Sequence, residues 1–206
     1  MKKQLVVLIL IFWAFSASAA TIYVDTNAPL GGDGTTRASA YKYLQNALAA
    51  APYGDEIRVA QGIYHPDRFA ADPNAPRDPD ISFHIIDGTT LKGGHAGFGQ
   101  SDPNARDIKT YETILSGDMN GNDGPDFTNH DENSYHLVAS SGTNATTVLD
   151  GFAITGGNAD SSGSNGRGGT AYQVNGLTNN GPGSFGSWHK KIRFLCISKD
   201  FSMCFR

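Results

Sequence analysis

Short apolar segments separated by turns of Gly, Asp and Asn recur along most of the sequence, and this pattern limits the fold more than any other feature. Glycine accounts for 25 of the 206 residues, and only three of the 20 acidic residues are glutamate, namely Glu56, Glu112 and Glu132. Glutamate favours helices, whereas Gly, Asp and Asn favour turns. The sequence therefore predicts an all-β fold that consists of many short strands.

The first 19 residues have the features of a secretory signal peptide. Lys2 and Lys3 give a positively charged start, residues 5–15 are apolar, and residues 17–19 read Ala-Ser-Ala, a small-residue cleavage site. The apolar run is about half as long as a membrane-spanning helix must be. We therefore expect an exported chain whose mature form has no transmembrane helix.

One amphipathic helix is predicted near the start of the mature chain, over residues 40–51. Ser39 is a candidate N-cap, and Pro52 and Gly54 end the helical pattern. The apolar side chains of one face are Tyr41, Leu44, Ala47, Leu48 and Ala51. Strands are predicted around this helix and beyond it, at residues 21–24, 56–60, 63–64, 113–117 and 134–139.

One motif occurs twice and indicates a solenoid. The segments 86–94 and 149–157 both read apolar-Asp-Gly-x-x-Leu/Ile-x-Gly-Gly, and the numbers of their aspartates, Asp87 and Asp150, differ by 63 (150 − 87). This offset equals three units of 21, a typical length for one coil of a stacked repeat. The aliphatic side chains expected to stack in an inward ladder are Ile86, Leu91, Leu149 and Ile154. The predicted helix is placed where such a stack needs an N-terminal cap.

Several segments, taken together and in order, resemble the right-handed parallel β-helix repeat proteins that bacteria export, a group related in pattern to the polymorphic outer-membrane proteins. The segments that carry the resemblance are IYVD (22–25), LQNAL (44–48), GDEIRVAQGIY (54–64), TILSGD (113–118), NSYH (133–136) and LDGFAITGGNA (149–159). The resemblance implies a right-handed parallel β-helix, pectin-lyase-like, with an N-terminal α-helical cap. It covers about residues 21–169 and implies that this chain is the truncated, N-terminal part of a longer protein. It implies no activity, because the same fold serves lyases, adhesins and spacers.

Five segments are expected along the chain. They are a signal peptide at 1–19, an N-terminal strand and capping helix with the first coil at 20–65, a Pro-rich loop at 66–80, β-helix coils at 81–176 and an atypical basic tail at 177–206. The tail contains both cysteines, Cys196 and Cys204, and no further coil of the family pattern. Three explanations of the tail remain open: a frameshifted or truncated gene, a basic strand that caps the open end, and a surface-binding segment.

The best candidate for a metal site is the segment 118–126, DMNGNDGPD. Oxygen ligands at alternate positions suit Ca²⁺, but the EF-hand pattern fails at its sixth and twelfth positions, which are Asp123 and Asn129. Two interpretations remain, a solvated turn without an ion and a looser calcium loop. The ligands of that loop would be Asp118, Asn120, Asn122 and Asp126. The pattern is too weak to assign a metal, so no cofactor is predicted and calcium remains an alternative.

No catalytic residue can be assigned from the sequence. A polysaccharide lyase would need a basic side chain beside a sugar carboxylate, and the candidates are Arg58, Lys92, Arg106 and Lys109. A glycoside hydrolase would need paired carboxylates, which stacking of Asp87 on Asp150 would supply. The simpler interpretation is that these aspartates bond the backbone of their own turns.

Two functional classes therefore remain. The first is an exported β-helix solenoid with a structural or adhesive role at the bacterial surface and no catalysis, either secreted or attached to the outer membrane. The alternative is a carbohydrate-active enzyme, a polysaccharide lyase or glycoside hydrolase, of which this chain is the N-terminal part. The partner would be a surface glycan or protein that the sequence does not identify. Nucleic acid is not expected, because the net charge is −4.

Overall fold

The computed structural model describes residues 19–72, 74, 77–141 and 146–158, together with the backbone of residues 172–175. The predicted cysteine-containing tail and all of the predicted signal peptide except its final residue lie outside the described residues. Within the described ranges, no helix is both long enough and apolar enough to cross a membrane.

The described residues form ten β-strands, one α-helix and one 3-10 turn. The strands are β1 (Thr21–Val24), β2 (Glu56–Ala60), β3 (Gly62–Tyr64), β4 (Phe83–Ile85), β5 (Thr90–His95), β6 (Thr113–Ser116), β7 (Val138–Ser141), β8 (Val148–Asp150), β9 (Ala153–Thr155) and β10 (Tyr172–Asn175). The helix α1 spans Leu44–Ala50, and the 3-10 turn spans Pro125–Phe127.

The strands form three sheets in which every neighbouring pair is parallel. The sheets have the orders β1-β2-β5-β8, β3-β6-β9 and β4-β7-β10. From β2 onward, the chain visits these three sheets in the same order three times. The prediction of a mostly stranded, all-β fold is confirmed at this level, and the three sheets of the described residues are parallel.

The core lies between the sheets and is built by residues in register. Ile57, Leu91 and Leu149 occupy equivalent positions in β2, β5 and β8, and each is buried. One apolar cluster extends from Val24 in β1 to Phe152 after β8. Because side chains alternate between the two faces of a strand, the next residues in β5 and β8 are polar and lie on the outer face.

The helix buries the predicted face but begins later than predicted. Leu44, Ala47 and Leu48 are buried, as the helical spacing predicts. The N-cap position is Tyr43 rather than Ser39, and no side chain caps it. The Oγ of Ser39 instead donates a hydrogen bond of 2.7 Å to Oδ1 of Asp33.

The late start of the helix follows from pairing of the preceding segment with β1. The amide of Tyr41 donates to the carbonyl of Tyr23, and the amide of Asp25 donates to the carbonyl of Tyr41, both at 2.8 Å. Residue 41 is therefore held beside the strand as a bridge to Val24. A residue held extended in this way cannot take part in the first helical turn.

The predicted repeat offset of 63 residues does not match the pairing of the strands, so the register that it implies is wrong. Leu91 pairs with Leu149, an offset of only 58 (149 − 91), whereas Ile154 pairs with Leu115 in a different sheet. Asp150 is in register with Lys92, not with Asp87. A single passage through the three sheets, rather than three short coils, separates β5 from β8. The preceding offset, from Ile57 to Leu91, is 34 (91 − 57), so successive coils have no fixed period.

The recurrent glycines mark places where two corners of the backbone touch. A Cβ on Gly93 would collide with the carbonyl oxygen of Gly151, and a Cβ on Gly117 would collide with that of Gly156. Both oxygens belong to the backbone and cannot swing away as a side chain could, so glycine is required at these corners. Stacking of corners therefore explains Gly93 of the motif, although the motif does not give the register of the strands.

The predicted Pro-rich loop at 66–80 lies between β3 and β4 and is bound to the body of the fold. Asp67 is fully buried and accepts a 2.7 Å bond from the guanidinium of Arg77. The side-chain amide of Gln45, on α1, donates to the carbonyls of Pro66 and Ser82. The loop is thereby anchored to the helix at both of its ends.

Candidate functional site

Three of the basic residues proposed for catalysis lie on or beside the outer face of the four-stranded sheet. Arg58 and Lys92 are in register on β2 and β5. Both bind Glu56: the Nε of Arg58 lies 2.6 Å from Oε1, and the Nζ of Lys92 contacts Oε2. Burial acts to raise the pKa of Glu56, but the hydrogen bonds from Lys92 and Arg58 outweigh it and lower that pKa. The hydrogen bond to Glu56 in turn raises the pKa of Arg58.

A second ion pair lies beside this group. One terminal nitrogen of Arg106 is 3.0 Å from Oδ2 of Asp150, and its Nε donates to the carbonyl of Gly93 at 2.8 Å. Arg106 thus joins the loop after β5 to β5 and β8. The fourth candidate, Lys109, lies in an exposed turn where its backbone amide donates to Asp107.

The carboxylates proposed for glycoside hydrolysis are not brought together. Asp150 stands beside Lys92 and binds Arg106, whereas Asp87 accepts a 3.2 Å hydrogen bond from the hydroxyl of Thr147. That hydroxyl also accepts a bond from the amide of Gly88. The stacked pair predicted from the repeat is therefore wrong, because the register differs from that of the sequence motif.

These contacts restrict what the outer face can do chemically. A base must hold its proton weakly to abstract one from a substrate. Arg58 is held in its charged form by Glu56, and both Lys92 and Arg106 bind carboxylates. The arrangement stabilises stacked strands but does not form a recognisable acid–base pair.

The other candidate is the long connection from β6 to β7, which is organised around Asp118. Its Oδ1 accepts hydrogen bonds from the amides of Gly121 and Asn122 at 2.6 and 3.1 Å. Its Oδ2 accepts one from the amide of Asp123 at 3.1 Å. The carboxylate therefore closes the turn predicted by the Asp/Asn/Gly pattern.

Three carboxylates meet in this connection. Asp118, Asp123 and Glu132 each present one oxygen, and these oxygens all lie within 4.8 Å of one another. We name these three residues the acidic cluster. Of the four ligands proposed from the sequence, only Asp118 belongs to it. Local spacing could not identify Glu132, because it comes from the far end of the connection.

The remaining predicted ligands have other positions. The Oδ1 of Asn120 accepts a 3.0 Å hydrogen bond from the Nε of Arg77, and the backbone carbonyl of Asn122 accepts one from the side chain of Asn129 at 2.9 Å. Asp126 is exposed in the 3-10 turn and outside the acidic cluster. Of the four predicted ligands, the structure therefore brings only Asp118 together with other carboxylates.

Two further side chains contact the acidic cluster. Asn133 is fully buried, and its Nδ2 donates to both oxygens of Asp123 at 2.9 and 3.1 Å. The Nε2 of His130 lies 3.6 Å from Oδ2 of Asp123. The pKa of Asp123 is raised, mainly by burial and further by the neighbouring charges of Asp118 and Glu132, against the opposing effects of Asn133 and His130.

A shallow groove between α1 and β3 is a weaker candidate. Lys42, Tyr64, His65 and Arg68 contribute to its lining. The ammonium group of Lys42 is already bound, at 2.6 Å to the carbonyl of Thr26 and at 3.3 Å to that of Ala28. Its contacts indicate that this lysine holds the chain after β1 in place.

The chain has no significant match among protein-family models, curated proteins or solved structures. The resemblance to exported β-helix repeat proteins therefore remains a prediction based on the sequence segments named above. Function must be inferred from the arrangement of this chain's own residues.

Proposed function

We propose that this chain is an exported solenoid, a right-handed parallel β-helix with an N-terminal helical cap, and that it has a structural or adhesive role at a bacterial surface. The observation that carries this proposal is the constant order in which the chain visits its three parallel sheets. A chain that coils repeatedly in one direction follows this path. Crossovers between parallel strands are almost always right-handed, which supports the proposed hand.

The position of α1 supports its role as a cap. The helix contacts β1 and β2, the first two strands of the four-stranded sheet, and β4, the first strand of another sheet. Its buried residues join the same apolar cluster as the inward residues of the strands. A stack of repeats needs such cover at its end because the terminal repeat otherwise exposes its core.

The charge pairing on the outer face favours a structural role over catalysis. Glu56 binds Arg58 and Lys92, and Asp150 binds Arg106. These pairs join residues of the same or neighbouring strands and loops. In the proposal, the long connections and the outer faces of the sheets form the surface that a glycan or protein partner contacts.

The proposal is tested with the full chain, expressed with its leader in a bacterial host and recovered from the medium and the cell surface. We expect export, and a protein mass that corresponds to cleavage after Ala19. Incubation with polygalacturonate or alginate in the presence of Ca²⁺ should release neither unsaturated sugars nor new reducing ends.

Two results would contradict the proposal separately. Retention of the uncleaved chain inside cells would contradict export. Release of unsaturated product would favour the lyase alternative, and the matched variants Lys92→Ala and Lys109→Ala would then show whether the paired or the exposed lysine is required.

A further inference from the structure

We propose that the acidic cluster, Asp118, Asp123 and Glu132, together with Asn133, binds one Ca²⁺ ion that joins the two ends of the connection between β6 and β7. This site differs from the calcium loop suggested by the sequence, and it does not depend on the proposed function.

The geometry of the three carboxylates suits a single ion. Calcium binds oxygen ligands at roughly 2.3–2.6 Å, so two ligands of one ion lie at most about 5 Å apart. The three oxygens of the acidic cluster all lie within 4.8 Å of one another. Three oxygens at these separations lie within about 2.8 Å (4.8 Å/√3) of a common centre, so small side-chain movements bring all three to calcium-binding distance.

Asn133 gives an independent indication of a ligand. Its side chain is fully buried and directed at Asp123, yet its Oδ1 receives no hydrogen bond from any residue that the structure describes. Buried amide oxygens are nearly always paired. Half a turn about the Cβ–Cγ bond would bring Oδ1 to the position of Nδ2, where it could bind an ion held by Asp123.

Glu132 also has a buried oxygen atom without a hydrogen-bond partner, in this case in a carboxylate. Its Oε1 is buried and accepts no hydrogen bond from the described part of the chain. Burial of an unpaired carboxylate oxygen is costly. Among the described residues, the basic side chain at ion-pair distance from this cluster is the imidazole of His130, whose Nε2 lies 3.6 Å from Asp123. A divalent cation would balance three formal negative charges far better.

The chemistry of the ligands favours calcium over other divalent ions. All the proposed ligands are oxygens, supplied by a long and irregular connection, and Ca²⁺ accepts such variable geometry. Magnesium requires stricter octahedral geometry and retains several waters. Zinc prefers nitrogen and sulfur ligands, so a zinc-dominated response would point to His130 instead.

Bound calcium would tie Asp118, which follows β6 closely, to Glu132, which lies shortly before β7. It would therefore hold together both ends of the connection at 117–137 between β6 and β7. A ligand that binds only the folded chain stabilises it by mass action. Calcium sites of extracellular modules commonly have dissociation constants of about 0.1–1 mM, so the titration must extend to millimolar Ca²⁺.

The test uses the full chain, freed of metal with EDTA and then titrated with CaCl₂ while thermal unfolding and heat of binding are measured. The key variant is Glu132→Gln, which keeps the shape and removes the charge. The matched control is Asp126→Asn, which removes a carboxylate from the same connection but outside the acidic cluster. We expect wild type and Asp126→Asn to gain several degrees in Tm at millimolar Ca²⁺, and Glu132→Gln to bind about ten-fold or more weakly.

A second measurement separates loss of binding from loss of folding. In EDTA, Glu132→Gln should be at least as stable as wild type, because removal of one charge relieves the repulsion in the acidic cluster. The proposal fails if Ca²⁺ does not shift the Tm of wild type, if Glu132→Gln responds equally, or if Mg²⁺ or Zn²⁺ produces a larger shift than Ca²⁺.

Discussion

His95 is a buried residue whose protonation is set by its surroundings. It ends β5, is 4% exposed, and its Nδ1 lies 3.1 Å from the carbonyl oxygen of Lys92 and 3.3 Å from that of Val59. Both neighbours are acceptors, so Nδ1 must carry the proton. Burial, and next the charge of Arg37, lower the pKa of His95 to about 4, and the charges of Arg106 and Arg58 act in the same direction. The imidazole is therefore neutral in the folded chain at neutral pH.

We predict that His95 makes the chain less stable as pH falls from about 6.5 to about 4. In that window the unfolded chain, with an ordinary histidine pKa near 6.5, binds the proton that the folded chain rejects. The loss of unfolding free energy due to this residue should reach about 2–3 kcal/mol. Urea unfolding of wild type and His95→Asn at pH 7 and pH 4.5 measures it, because asparagine keeps a donor near Nδ1 without titrating. An equal decline in both proteins would contradict the assignment.

At the scale of one element, β5 separates its two faces sharply. Leu91 is buried between Ile57 and Leu149, while the adjacent Lys92 lies on the outer face and binds Glu56. The first contact is part of a packed core, and the second is an ion pair at the surface. Substitution of these two residues therefore compares the contributions of core packing and of a surface ion pair to the stability of one strand.

Leu91→Ala is expected to lower the free energy of unfolding by about 2–5 kcal/mol, because it removes buried methyl groups and leaves a cavity. Lys92→Ala should lower it by less than about 1 kcal/mol, since exposed ion pairs contribute little. Urea unfolding of both variants under the same conditions measures the difference. A larger effect from Lys92→Ala would mean that the outer ion pairs, rather than the inward ladder, hold the strands together.

At the scale of the whole molecule, stability depends on strands that are distant in sequence but in register. Arg58, Lys92 and Asp150 occupy equivalent positions on β2, β5 and β8, with β5 between the other two strands. Neighbouring strands lie about 4.8 Å apart, so the outer two positions are separated by about 9.6 Å. This arrangement makes the register accessible to chemical cross-linking.

We predict that the pair Lys92→Cys and Asp150→Cys forms a disulfide on mild oxidation, whereas Arg58→Cys with Asp150→Cys does not. Disulfides need Cα atoms closer than about 7 Å, which only the first pair provides. The background should carry Cys196→Ser and Cys204→Ser, and mass spectrometry of digests identifies the bridges. Bridging of the control pair, or a first pair that remains reduced, would contradict the observed sheet order.

Many of the strands and the buried face of the helix can be predicted from the sequence, but the register between the strands cannot. The predicted strands at 21–24 and 56–60 and the buried face of α1 are confirmed, whereas the predicted strand at 134–139 lies at Val138–Ser141. Ser39 fails as a cap because pairing of residue 41 with β1 is not local. In the acidic cluster the sequence identifies Asp118 but not Glu132, since most of the connection between β6 and β7 separates the two residues.

The sequence by itself determined the features that depend on near neighbours: short strands, glycine corners, one amphipathic helix and an Asp-rich turn. These follow from side-chain alternation, helical spacing and turn preference, each of which acts within a few residues. Only the tertiary structure decided that Leu91 stacks on Leu149, that Lys92 binds Glu56 and lies in register with Asp150, and that Glu132 joins Asp118 and Asp123. Those contacts depend on how connections of unequal length return the chain to the same three sheets, and no local pattern encodes that path.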